Sequence, residues 1–231
     1  MSKVFRYAIF SFVFAAIVAS AAVVEANAQL SEVLRRLEIH NQALGSVQAN
    51  VTMSKFNPQL STTDVYVGST SYLTKKSAGK MYMRLDWSKP TVEHISVIGD
   101  DYELYKPSIS RVYRGKTNKA KNSSSAGNAL AFMNMSRDEL RKNYTVTLIN
   151  EESLKDGTPT AHLLLTPKAA TSYKTSELWV DKDGMPRQAK ITEANDDTTT
   201  VFLEVTAKNT KINTDIFKLK YDSKKVQIVK G

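Results

Sequence analysis

The chain has 231 residues, no cysteine and a formal net charge of +9. That length suits one domain with a proper core. The missing thiols exclude thiolate catalysis, thiolate metal sites, disulfides and redox work.

Lys3 and Arg6 form a short basic start, Tyr7 to Val24 is uncharged and largely apolar, and Ala26-Asn27-Ala28 has the small-x-small pattern of a signal-peptidase site. Together these predict a secretory signal at residues 1–28, cleaved after Ala28, and a single domain at 29–231. The competing reading is an uncleaved anchor, because the run approaches the ~18 residues that span a bilayer. Cleavage would remove Lys3, Arg6 and Glu25 and leave a soluble, basic periplasmic protein of charge +8.

Ser31 to Leu44 reads as a helix: Leu30, Leu34, Leu37 and Leu44 share one stripe, Glu32 and Arg36 pair on the outer side, and Gly45 is a C′ stop. His40, near its end, is expected to be solvated. Strand signals then dominate. Val47, Ala49, Val51 and Met53 alternate with polar residues, and Met81, Met83, Leu85 and Trp87 alternate with Tyr82, Arg84 and Asp86. A period of two predicts half-buried antiparallel strands with one apolar and one wet face. Further strands are predicted at 63–74, 92–98, 102–105, 109–113, 144–149, 161–166, 176–181, 188–193 and 199–207. Turn residues at Gly99-Asp100-Asp101, Lys106-Pro107-Ser108, Asp156-Gly157 and Asp183-Gly184 separate them. Residues 116–142 interrupt the pattern with a Ser-rich loop, an apolar stretch containing Leu130, Phe132 and Met133, and a capping box at Ser136 and Glu139 that opens a short helix.

No catalytic constellation emerges. His40, His94 and His162 lack metal-ligand spacing. Gly79-Lys80 lacks the first glycine and the magnesium-binding hydroxyl of a phosphate loop. Asp181-x-Asp183-Gly184 reads as a hairpin turn, its spacing being wrong for a calcium loop. The chain is therefore read as a non-enzyme without cofactor or metal. From Leu104 to Arg137 there are seven cations, among them Lys106, Arg111, Arg114, Lys116, Lys119 and Lys121, and no acid. This run is either a solvated loop or a surface that docks on an acidic partner or anionic membrane. In an exported protein, it does not suggest nucleic acid.

The order of these elements resembles the periplasmic outer-membrane lipoprotein carrier family, LolA. The resemblance rests on the helix and strand from Leu30 to Met53, the strand from Lys75 to Trp87 closed by Lys89-Pro90, the Gly-Asp turn and the Tyr105-Lys106-Pro107 step. It continues through Leu165-Thr166-Pro167-Lys168, then Glu177-Leu178-Trp179-Val180-Asp181, Asp183-Gly184-Met185-Pro186 and a closing segment ending in Phe217. It implies a mainly β fold: an incomplete antiparallel β-barrel whose concave apolar face is covered by the N-terminal helix and a helical lid at about 122–142. It also implies a monomeric carrier that takes lipoprotein acyl chains from an inner-membrane ABC transporter to an outer-membrane acceptor. The implied cavity is lined by Val51, Met53, Met81, Met83, Leu85 and Trp87, and the implied lid carries Leu130, Phe132 and Met133. Lys75 and Lys76 stand where the family has a lid-latching arginine. Another lipid or hydrophobic ligand, bound by a carrier or a sensor, is the alternative.

Overall fold

A computed structural model describes residues 27–117 and 135–230. Helix α1 covers 27–43. Strands β1 (Ser46–Asn57), β2 (Thr62–Leu73), β3 (Tyr82–Lys89), β4 (Glu93–Ile98), β5 (Asp101–Lys106) and β6 (Arg111–Lys116) follow, with the single-turn helix α2 (Lys75–Ala78) between β2 and β3. After helix α3 (Arg137–Asn143) come β7 (Tyr144–Ser153), β8 (Pro159–Pro167), β9 (Tyr173–Asp181), β10 (Pro186–Glu193), β11 (Thr198–Lys208) and β12 (Gln227–Lys230). All twelve belong to one sheet in the order β12-β6-β5-β4-β3-β2-β1-β11-β10-β9-β8-β7. Every pairing is antiparallel except β12 with β6. The sheet is curved and open, an incomplete barrel with edges at β7 and β12.

Alternation gives the sheet an inner face, which carries the main core, and an outer one. The half formed by β1 and β8–β11 is tightly filled. Leu163, Leu165, Leu178, Ala189 and Ile191 are fully buried, and Val51, Val180 and Val201 nearly so. They share one cluster with Val33, Leu34 and Leu37 of α1 and Leu140 of α3. Burying a side chain of this size stabilises by about 1.5–3 kcal/mol, so docking of α1 anchors this half. The β9–β10 turn meets the helix closely. A Cβ on Gly184 would lie 2.1 Å from the Arg36 carbonyl oxygen, and Arg36 Nη1 donates to the Lys182 carbonyl at 3.1 Å. The expected capping box is present: Ser136 accepts from the Glu139 amide and Glu139 from the Ser136 amide.

Two expectations along α1 are corrected. Gly45 is not a left-handed C′ residue. Its amide donates to Asn209 Oδ1 at 2.7 Å, and Ser77 Oγ would lie 2.8 Å from a Cβ there, so close approach selects the glycine. His40 is not solvated but 6% exposed. It continues the buried stripe one turn beyond Leu37, and burial, then Lys208, lower its pKa.

The outer face of β3–β6 is covered too. After β11 the chain crosses it as a strap containing a 3-10 turn at Thr214–Phe217, and then adds β12 beside β6. Phe217 is fully buried and its ring lies 5.3 Å from that of Tyr82. Ser96 Oγ donates to the Phe217 carbonyl, and Arg84 Nη1 to the Ile216 carbonyl at 2.9 Å. Tyr82, Arg84 and Asp86 are on the outer face, as alternation requires, but half-buried instead of wet.

Candidate functional site

Register places the inner-face residues of β2–β6 in three rows. The first runs Gly68, Trp87, Glu93, then Lys106 and Arg111, which pair with each other. The second runs Thr70, Leu85, Ile95, Leu104, Tyr113, and the third Tyr72, Met83, Val97, Tyr102, Gly115. Two apolar rows thus lie beside a charged one.

Glycines shape this wall. A Cβ on Gly68 would meet the Asp86 carbonyl at 2.2 Å and the Trp87 indole at 3.0 Å, so only glycine lets β3 and its indole approach β2 there. The indole meets Tyr66 edge-on at 5.8 Å. Gly115 makes room for the Tyr102 ring, 2.7 Å from where a Cβ would be. The wall is poorly solvated at Tyr72, whose phenol pKa is pushed up by burial.

This half contrasts with the filled one. Leu85 and Val97 are buried, but Tyr72, Met83, Ile95, Tyr102, Leu104 and Tyr113 are only half-buried. Of the residues expected to line a cavity, Val51, Met53, Leu85 and Trp87 are buried within the main core cluster. Met81 and Met83 remain partly exposed, Met83 in the third row. Val51, Met53, Leu85 and Trp87 are thus packed into the core, Met83 lines the less filled half, and Met81 precedes β3 outside the register. Leu130, Phe132 and Met133 lie outside the described residues. Lys76 Nζ donates to the Gln42 carbonyl at 3.0 Å, satisfying the end of α1, while Lys75 is exposed.

The basic run divides in space. Lys106 and Arg111 lie on the inner face, Arg114 and Lys116 on the outer; Lys119 and Lys121 are outside the described residues. Three of the four face acids from neighbouring strands: Lys106 to Glu93 at 2.8 Å, Arg114 to Glu103 at 2.6 Å and Lys116 to Asp101 at 2.6 Å. The other two histidines occupy the outer face. His94 Nδ1 lies 2.6 Å from Asp86, which also takes Arg84. His162 lies between Glu152 and Glu177 and stacks on Trp179 with ring centroids 4.1 Å apart. Among the described residues no group of three His, Asp or Glu is placed to hold a metal. No described helix is long and apolar enough to cross a membrane.

A family model described as "-like: Uncharacterized protein" matches residues 75–202, more than half of the chain and all the strands of the inner wall from β3 onward. The chain belongs to this family. No curated protein matches the sequence. Among solved structures, an uncharacterized conserved protein from Thermus thermophilus is 12% identical, with a TM-score of 0.56 over 88% of this chain and 99% of that one. MucB is 14% identical, with a TM-score of 0.55 over 84% of this chain. In the Pseudomonas aeruginosa MucA/MucB complex the TM-score is 0.51 over 86% of this chain, at 14% identity. The chain spans 63% and 62% of the two MucB chains. A LolA superfamily protein from Nitrosomonas europaea is 15% identical over 82% of this chain and 97% of that one, with a TM-score of 0.41. At these identities the likeness to the Thermus protein and MucB is one of fold.

Proposed function

We propose that this family member is a periplasmic carrier that shields lipoprotein acyl chains on the inner wall of β2–β6 and carries them from the inner to the outer membrane. The observation that carries the reading is the asymmetry of the inner face: α1 fills one half with aliphatic side chains, whereas in the other most of two adjacent apolar rows, all but Leu85 and Val97, is half-buried. Exposing a methylene to water costs about 0.8 kcal/mol, so three ordinary acyl chains require on the order of 30 kcal/mol of shielding. Met81 and Met83 give the wall adaptable contacts. Val51, Met53, Leu85 and Trp87 form its floor, with Lys75 and Lys76 at the latch. In this reading the signal ends at Ala28, residues 29–231 form the carrier domain, and an ABC transporter and an outer-membrane acceptor stand at the two ends of its route.

The test uses exported protein beginning at Gln29. Organic-solvent extraction and mass spectrometry should recover an acylated molecule, and the emptied protein should take up a fluorescent fatty-acyl probe. Absence of lipid from the extract together with absence of probe uptake would overturn the reading. The likeness to MucB, solved with MucA, favours a second reading as a partner-binding sensor; that protein would emerge lipid-free and bound to another polypeptide.

A further inference from the structure

We infer that the charged row beside the apolar wall is a headgroup site, and that it fits the anionic headgroup of a phospholipid. This rests on the acyl-carrier reading and, within it, favours a phospholipid over a lipoprotein as the cargo. The motive is the order of side chains across β3–β6. In the second and third rows, every residue from Leu85 to Tyr113 and from Met83 to Tyr102 is apolar or aromatic. In the adjoining row, Trp87 is followed by Glu93, Lys106 and Arg111. An amphiphile lying along the strands with its tails on the apolar rows brings its polar end to that row.

The charges decide the sign of that end. Glu93 Oε1 holds Lys106 Nζ at 2.8 Å, with both side chains about one-third exposed or less. Arg111 has only a neutral partner: its Nε donates to Gln227 Oε1 at 3.1 Å, and among the described residues it has no ion pair. Two cations against one carboxylate leave the row net positive. Arg111 keeps its terminal guanidinium nitrogens for a phosphate, which this planar fork suits. Lys106, fixed by Glu93, offers its remaining donors beside it. Trp87, buried in the core beside Glu93, ends the charged row on that side. An uncharged diacylglyceryl end would leave Arg111 without an anionic partner. The edge strand β12 also acquires a role, because its Gln227 steadies Arg111 at the open side of the row.

The experiment displaces a fluorescent acyl probe from the full exported protein with short-chain phosphatidylglycerol or with diacylglycerol of the same chains. Phosphatidylglycerol should compete about tenfold better, the worth of one charge-assisted contact, and added salt should shrink the ratio. Arg111→Gln, at an exposed position, should bring the ratio close to one without changing thermal stability. Glu93→Gln, which releases Lys106, should raise it. Equal competition by the two lipids, or a ratio indifferent to both substitutions, overturns the headgroup site while leaving the acyl carrier intact. Failure of both lipids to displace the probe, or of the probe to bind, overturns the carrier reading itself.

Discussion

His40 lies on the buried stripe of α1, three residues after Leu37 and four before Leu44, and burial disfavours its charged form. Lys208 acts in the same direction, while Asp181 and Asp183 oppose both. In the unfolded chain the ring takes a proton near its ordinary value of 6.5. The folded value is lower, so between the two the unfolded state binds more protons. Stability is complete above the unfolded value and is lost as pH falls from there toward the folded one. His40→Leu should therefore reduce the drop in Tm between neutral and mildly acidic pH. Parallel Tm–pH curves for the two proteins would show that the ring titrates alike in both states. The stripe position was available in the sequence, but a polar side chain near a helix end reads as solvated until its neighbours are known.

Gly184 and Gly157 separate backbone strain from close approach. Both have left-handed φ, of 83° and 80°, in hairpin turns recognisable from Asp-Gly pairs. A Cβ on Gly157 meets nothing within 4 Å, whereas on Gly184 it collides with α1 at Arg36. Gly157→Ala should cost about 1–2 kcal/mol, the left-handed penalty alone. Gly184→Ala should cost at least twice that, since helix and turn must part. Equal losses in urea unfolding would show that α1 yields without cost.

The strap is the element the sequence conceals best. Gln227–Lys230 is too short to announce a strand, and its parallel pairing has no local turn signal. Tyr82, Arg84 and Asp86 read as a wet face because nothing in their own strand says that Phe217, far along the chain, lies over them. The basic run shows the same: it lacks acids in sequence, yet Asp101, Glu103 and Glu93 on adjacent strands supply them. By contrast, the strands β1–β11 were legible, because each alternates over several residues between Gly, Pro or Asp turns. Phe217 is the strap's anchor. Phe217→Ala should cost about 3–5 kcal/mol in urea unfolding. It should also open the strap to trypsin at Lys218 and Lys220 before the rest of the sheet is cut. Unchanged stability and cleavage would make the strap a passive tail.

At the scale of the molecule, one sheet serves two ends. Its β1 and β8–β11 half is an ordinary core sealed by α1, and its β2–β6 half is an apolar wall closed on its outer face by the strap. Periodicity revealed which residues of β1 and β3 face inward, Met83 as clearly as Val51. It could not tell the halves apart, because a packed strand and a cavity wall have the same alternation; the difference lies in what α1 covers. The same polar change should therefore have different outcomes in the two halves. Leu163 is fully buried in the filled half, so Leu163→Asp places a charge without partner or water and should prevent stable folding. Met83 is half-buried, between Tyr72 and Val97 in the third row. Water can reach a carboxylate there, so Met83→Asp should lower Tm only modestly while abolishing uptake of a fatty-acyl probe. Melting and probe binding measured on the same two variants decide the matter. Unfolding by both substitutions would make the β2–β6 half plain core. Retained stability and retained binding in Met83→Asp would place the acyl chains elsewhere.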